Sequence, residues 1–376
     1  MKNYSKYKID IWLLIPLVLM AIISIITIMS ATKILPSYMN DIVIKQIIWY
    51  MFGFSFIFLV MTLGNEFIYR NIWIFYIIGI ISLIALLLFT SPINDAKCWF
   101  TIPGIGTIQP SEFMKIILII TLGSMIHKFH LKYDKPTIKQ EFIFLLKVIC
   151  IVLIPSILTF MQPDTGVVII YLLIALIMLF VSGIRYRWFA LLFGILLILL
   201  SFIISIYFIN NDLFIKIFGT NFFLRIDRLL DWSNKSGYQL ENGMSAIGSG
   251  GLFGFGIFNT PIYFPEPQTD FIFAVYASNF GFIGSIILIT IITFFNIKII
   301  NLAGKTNNFQ NKYVLAGILG MLIYQQFQNI SMTFGLMPIT GITLPFISHG
   351  GSSLLSYMIM AGIIFNISNE TIRYTN

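Results

Sequence analysis

Residues 188–210 read WFALLFGILLILLSFIISIYFIN, a run without one charged side chain. At 1.5 Å per helical residue such a run crosses a hydrocarbon core of about 30 Å. No water is there to satisfy backbone N–H and C=O groups, so the run must be a helix that pairs them internally. Working outward finds nine more runs of this kind, roughly 9–31, 42–63, 72–91, 108–127, 142–161, 165–183, 270–296, 312–335 and 343–367. The expected fold class is an all-α polytopic integral membrane protein with ten transmembrane helices. Residues 1–376 form a single membrane domain, and one large extracytoplasmic loop, 211–269, joins the seventh span to the eighth.

Composition agrees. The chain is 58% hydrophobic and 10% charged, against roughly 25% charged in soluble proteins. It cannot clothe a water-facing surface, which excludes a soluble enzyme, a nucleic-acid binder and a disordered chain. The net charge of +8 therefore records orientation rather than an affinity for nucleic acid. With the N-terminus cytoplasmic, the inner segments hold Lys2, Lys6, Lys8, Arg70, Lys128, Lys132, Lys135, Lys139, Arg185, Arg187, Lys298, Lys305, Lys312 and Arg373, whereas the short outer loops hold Lys33 and Lys97. Both termini are thus expected in the cytoplasm. The first run is longer than a signal core and lacks a small-residue cleavage site, so it reads as a retained helix. Cys98 and Cys150 fall in different segments and suggest neither a disulfide nor a zinc site.

Ionisable and amide groups inside spans are costly and usually face a cavity or a partner. Glu112 and Lys115 share one face of the fourth span; Gln325, Gln326, Gln328 and Asn329 fall late in the ninth; Ser348, His349, Ser352 and Ser353 fall early in the tenth; Asp164 and Asp270 open the sixth and eighth. All lie toward the outer side, while the inner half offers chiefly Lys147 and Asn296. The pattern implies a polar cavity open to the outside and closed toward the cytoplasm. A transporter would instead place polar groups near the midplane between repeated halves. The plainer alternatives are a structural Glu112–Lys115 ion pair, amides that join helices, an N-cap role for Asp270 and a hydrogen-bonded packing role for His349. The long loop opens with Leu213–Trp232, where Arg225, Asp227, Arg228 and Asp231 interrupt an apolar background at near-helical spacing, as in a helix lying in the outer interface; the plainer alternative is a partly solvated loop helix that only packs. Residues 248–256 hold five glycines without the spacing of a dinucleotide fingerprint, and read as tight turns beside the site.

Several motifs occur together in order. They are Trp99 with Gln109-Pro110-Ser111-Glu112-Phe113-Met114-Lys115; Gln162-Pro163-Asp164-Thr165-Gly166; Gly237-Tyr238-Gln239; Gly248-Ser249-Gly250-Gly251-Leu252; Pro265-Glu266 with Thr269-Asp270-Phe271-Ile272-Phe273; and Pro345-Phe346-Ile347-Ser348 with Gly350-Gly351-Ser352-Ser353. Over about residues 10–368 the chain resembles the SEDS family (shape, elongation, division and sporulation), most nearly its RodA elongation or SpoVE sporulation branch. The resemblance implies a peptidoglycan glycosyltransferase that polymerises lipid II at the outer face of the bacterial cytoplasmic membrane, with a class B penicillin-binding protein as partner. It assigns the catalytic carboxylate to Asp270.

The chemistry fits residues of these types. A sugar hydroxyl attacking an anomeric carbon that bears a pyrophosphate needs a base, and a partly desolvated carboxylate is a better one. Single displacement with inversion gives a β-1,4 link. The leaving pyrophosphate needs cations, for which Arg225, Arg228 and Lys115 are available. Trp99, Glu112, Asp164, Glu266, Ser352 and Ser353 complete the expected substrate-binding set. A divalent cation (Mg or Mn) could be held by Glu112, Asp164 or Glu266, though no spacing specifies one. The chain departs from the family pattern at Cys98, Gln268, Ser278, Asn279 and His349. Two alternatives stand beside the enzyme. A lipid II flippase would need a polar path through the inner half. A non-catalytic scaffold for the penicillin-binding protein is suggested by Ser278 and Asn279, which replace two glutamates.

Overall fold

The structure is a computed structural model that describes residues 9–36, 39, 41–92, 97–102, 106–220, 223 and 237–375. Among these residues the chain forms thirteen α helices and one short hairpin. In order they are α1 (Ile11–Ala31), α2 (Ile42–Leu63), α3 (Asn65–Arg70), α4 (Ile72–Phe89), the antiparallel strands β1 (Phe100–Ile102) and β2 (Gly106–Ile108), α5 (Pro110–Lys132), α6 (Ile138–Met161), α7 (Thr165–Val181), α8 (Tyr186–Ile209), α9 (Asn211–Phe218), α10 (Tyr238–Ser249), α11 (Ile272–Lys305), α12 (Phe309–Thr333) and α13 (Gly351–Thr375). The hairpin was not expected from the sequence, whose fourth run began two residues early.

Local chemistry sets many helix starts. Asp10 accepts from Trp12 N at 3.0 Å, Thr137 and Gln140 form a capping box, Pro110 occupies the first turn of α5, and Asn308 accepts from Gln310 N and Asn311 N. Among the described residues, eight helices are long and apolar enough to cross a membrane. The other two expected spans are helices as well. However, α7 has only 17 residues, and α12 carries Gln325, Gln326, Gln328 and Asn329 within its length.

The core lies around α5 and α13, which are buried on most of their faces. Helix α13 packs along α2, α12 against α5, α7 and α11, and α4 against α5. Leu17 and Met20, Leu118 and Leu122, Ile170 and Ile174, Met321 and Met358 belong to one continuous apolar cluster. Helix α8 stands apart, with Tyr207 its one buried side chain. The first and last helices begin and end together, since Ser368 Oγ donates to Asp10 Oδ2 at 3.1 Å. This end of the bundle is more polar than the sequence suggested. Asn366 Nδ2 donates to Val60 O and to Asn65 Oδ1, Tyr69 OH to Asn311 Oδ1, Asn311 Nδ2 to Glu370 Oε2, and Gln310 Nε2 to Ser124 Oγ. These groups bond to one another and close the end rather than line a path.

Helix α11 is broken. Gly281 adopts φ 63° and ψ −160° inside it, a conformation that excludes ordinary side chains. The break frees backbone groups, and the glycine-rich segment after α10 satisfies them. Phe255 N donates to Ser278 O at 3.0 Å, Gly256 N to Asn279 O at 2.9 Å, Phe282 N to Gly251 O at 2.9 Å and Ile283 N to Leu252 O at 3.1 Å. Contact is backbone to backbone. A Cβ on Gly254 would sit 2.2 Å from Asn279 O, and one on Gly281 would sit 2.5 Å from Gly254 N.

Candidate active site at the loop end of the bundle

Asp270 precedes α11 and so lies in the loop ahead of the span rather than within it. Its backbone is fixed from three directions. Asn329 Nδ2 donates to Asp270 O at 2.9 Å and to Ile342 O at 2.8 Å; Ser348 Oγ donates to Thr269 O at 2.7 Å; His349 N donates to Gln268 O at 2.8 Å. On the other side Glu266 Oε2 accepts from Gln268 Nε2 at 3.0 Å and from Thr269 Oγ1 at 2.8 Å. The carboxylate itself has no ion-pair partner among the described residues. Its neighbour is the exposed Gly341, where a Cβ would lie 3.8 Å from Oδ2. Burial, with the nearby Glu266 carboxylate adding to it, pushes the Asp270 carboxyl up to about 7. At neutral pH it can both accept and release a proton.

A second cluster surrounds Asp164, which caps α7 by accepting from Val167 N at 3.2 Å. Gln109 Nε2 donates to Asp164 Oδ2 at 2.7 Å and Ser111 Oγ at 3.4 Å. Burial is the largest influence on this carboxyl and lifts it to about 6, against the lowering effect of the Val167 N–H. Lys115 and Glu112 face inward on α5 and pair at 2.8 Å, with the lysine completely buried. The Lys115 ammonium also lies 5.2 Å from the centre of the Tyr357 ring, whose hydroxyl accepts from Gln325 Nε2 at 2.9 Å. Ser352 Oγ accepts from Gln109 N at 2.8 Å and donates to Thr107 O at 3.2 Å, tying the hairpin to α13.

Residues 340–344 connect the two clusters. Gly341 borders Asp270; Thr340 O and Ile342 pack on Gly166 beside Asp164; Thr343 Oγ1 and Tyr357 OH lie 3.2 Å apart. The fold therefore brings Asp270, Glu266, Asp164, Glu112, Lys115 and Ser352 to one end of the bundle. Trp99 is half-buried and immediately precedes the hairpin, next to Cys98, whose Sγ donates to Gln162 O at 2.8 Å. Ser353 turns back to Gly350 O. Arg225 and Arg228 lie outside the described residues; of the interfacial helix expected over 213–232, residues 213–218 belong to α9, which Gly219 ends at φ 84°, and most of the remainder lies outside the described residues. No three His, Cys, Asp or Glu side chains among the described residues come together as a metal site. The sequence reading missed Gln109 and Gly341. It placed Asn329 in the outer-side polar cluster of the ninth span, with a helix-joining amide as the plainer alternative, and the structure shows its side chain holding the backbone at Asp270.

The departures from the family pattern take visible places. Ser278 and Asn279 are buried at the helix break, where Asn279 Nδ2 donates to Gly256 O at 2.8 Å. His349 Nδ1 lies 2.9 Å from Gln46 Oε1, matching the packing role.

A family model described as cell cycle protein (FtsW, RodA, SpoVE) matches residues 9–373. A protein of Lactococcus lactis named "Probable peptidoglycan glycosyltransferase FtsW" is 33% identical over 75% of this chain and 70% of its own length. The protein of that name in Bacillus subtilis is 36% identical over 78% and 72%, and "Stage V sporulation protein E" of the same organism is 30% identical over 73% and 72%. Among solved structures, a chain from "Structural coordination of polymerization and crosslinking by a peptidoglycan synthase complex" shares the fold with TM-score 0.78 at 22% identity, covering 98% of this chain and 99% of that one. The rod shape determining protein RodA of Thermus thermophilus follows with TM-score 0.69 at 23% identity and 97% coverage of both. With a match across almost its whole length and curated relatives above 30% identity, the chain belongs to the FtsW/RodA/SpoVE family of cell cycle proteins.

Proposed function

We propose that this protein is a peptidoglycan glycosyltransferase that polymerises lipid II at the outer face of the bacterial cytoplasmic membrane. One observation carries the reading. Asp270 is a carboxylate drawn to about 7, with its backbone clamped and the exposed Gly341 beside it. The relatives' names supply the reaction class, and ten spans with both termini cytoplasmic put Asp270 on the outside. The lysine and arginine distribution supports that orientation, and the Asp10–Ser368 contact supports the two chain ends lying on one side. Residues 211–269 then form the large extracytoplasmic loop of a single membrane domain.

In this mechanism Asp270 takes the proton from the acceptor sugar hydroxyl. The hydroxyl oxygen forms a bond to the donor's anomeric carbon, and the bond from that carbon to the pyrophosphate breaks. The electron pair leaves with the polyprenyl pyrophosphate, and inversion gives the β-1,4 link. The Lys115 ammonium is committed to Glu112, so its part is to hold α5 and Tyr357. Charge on the leaving group falls to Arg225 and Arg228. Trp99, Asp164 and Ser352 border the sugar site, and Glu266 steadies the Asp270 loop.

A class B penicillin-binding protein is the fitting partner, since the new strands need cross-linking. The test is lipid II polymerisation by the purified chain, alone and with such a transpeptidase. The wild type makes glycan strands and Asp270→Asn does not. Equal activity of the two proteins would remove the mechanism.

A further inference from the structure

At the opposite end of the bundle, α4, α5 and α6 enclose a cavity of about 660 Å³ that no step of the glycosyl transfer uses. Its floor is apolar and aromatic: Phe129 and Phe144 stack at 4.3 Å between ring centres, both buried, and Trp73 borders them. Its rim carries Lys128, Lys132 and Lys147. All three are exposed, and none has an ion-pair partner among the described residues. The nearest buried acid, Glu141, is turned away toward Arg185 at 3.5 Å and Trp188 Nε1 at 2.8 Å.

Two features make this rim more than ordinary inner-face charge. Lys128 and Lys132 stand at i and i+4, where like charges repel unless an anion lies between them. Lys147 is nine residues into α6, about 13 Å along the helix axis, with exposed Ile143, Leu146 and Ile149 around it. A lone cation on a lipid-facing surface is costly without a counter-charge, and no described residue supplies one.

We infer that this cavity binds an anionic phospholipid. The phosphate meets the three ammonium groups, and an acyl chain lies over Phe129, Phe144 and Ile151. A basic pocket between helices with an apolar wall is the arrangement that selects such headgroups. An open apolar flank fits a chain-bearing lipid better than a free phosphate.

The experiment uses the full chain in detergent, with bound phosphatidylglycerol and cardiolipin counted by native mass spectrometry. Retention is compared for wild type, Lys128→Gln/Lys132→Gln/Lys147→Gln, and the charge-matched control Lys135→Gln/Lys139→Gln/Lys305→Gln. Anionic lipid affinity is expected to fall about fivefold per cavity lysine, roughly a hundredfold for three, with the control near wild type. Retention by the cavity variant, or an equal loss in the control, overturns the inference. So does displacement of the lipid by soluble glycerol phosphate, which would mark the site as one for free phosphate. If the triple variant fails to fold, Lys147→Gln alone must lose about fivefold, and an unchanged count in it refutes the site.

Discussion

Asp270→Asn keeps the side chain's shape and removes its charge, so it can separate catalysis from stability. Burial first and Glu266 second lift this carboxyl from 3.8 to about 7. A carboxyl whose folded value is raised favours the folded state below its unfolded pKa, and loses that contribution as pH rises through the folded value. The shift is about three units at 1.36 kcal/mol each, or about 4 kcal/mol for a dry site. Water at the half-open mouth screens this to on the order of 1–2 kcal/mol. The variant should therefore match the wild type near pH 4 and unfold later than it near pH 8. Over the same range its polymerisation rate should lie about 10²- to 10⁴-fold lower, the usual contribution of a positioned base. The wild-type rate should climb about tenfold per pH unit below about 7 and level off above it. Thermal unfolding in detergent and lipid II polymerisation across a pH series read both quantities. A flat wild-type rate from about pH 5 to 8, or a variant less stable than wild type throughout, refutes the reasoning.

Three further outcomes follow from the geometry. Lys115→Met leaves Glu112 buried without its partner and should cost about 3–5 kcal/mol in chemical unfolding, while Glu112→Gln/Lys115→Met together should recover most of that loss. Gly254→Ala drives a Cβ into Asn279 O at φ +76° and should abolish activity and lower the melting temperature, whereas Gly248→Ala, with nothing within 4 Å, should leave both unchanged. Asn329→Leu strips the donor from Asp270 O and Ile342 O, a loss of about 1–3 kcal/mol for buried carbonyls. In steady-state assays it should depress kcat more than KM, because it moves the base rather than the substrate.

The helices were legible because a bilayer imposes one rule on every span: twenty apolar residues have no alternative to hydrogen-bonding within themselves. Ranges such as 42–63 and 165–183 therefore lie within two residues of the helices. The same rule gives no information where the chain satisfies its backbone by other means. The hairpin at 100–108 holds three ladder positions per strand, too few for alternation to register. The amides of α12 were visible as polar groups, but a sequence cannot say that Asn329 bonds two carbonyls 13 and 59 residues away while Gln326 meets Asn296. Glu112 and Lys115 were legible as a pair from their spacing of three. Whether they bind substrate or each other depended on burial, which the structure supplies: the lysine is closed off entirely.

The break in α11 connects these strands of argument. A continuous helix of 34 residues would run about 51 Å, well beyond a hydrocarbon core of about 30 Å, and the break at Gly281 sets its first nine residues apart from the rest. Gly281 makes that division possible, and the backbone of residues 251–256 takes over the four hydrogen bonds that the turn gives up. Residues 272–280 are thereby held in place with Asp270 just ahead of them, and the segment 342–349 fastens the loop from the opposite side. Ser278 and Asn279 sit inside this junction. Asn279 has a role there: its amide donates to Gly256 O at 2.8 Å, a bond that a carboxylate could not make, whereas nothing in the structure explains the serine at 278, whose hydroxyl has no hydrogen-bond partner among the described residues. The Asn279 amide thus fastens the short helical piece that Asp270 precedes to the glycine-rich segment.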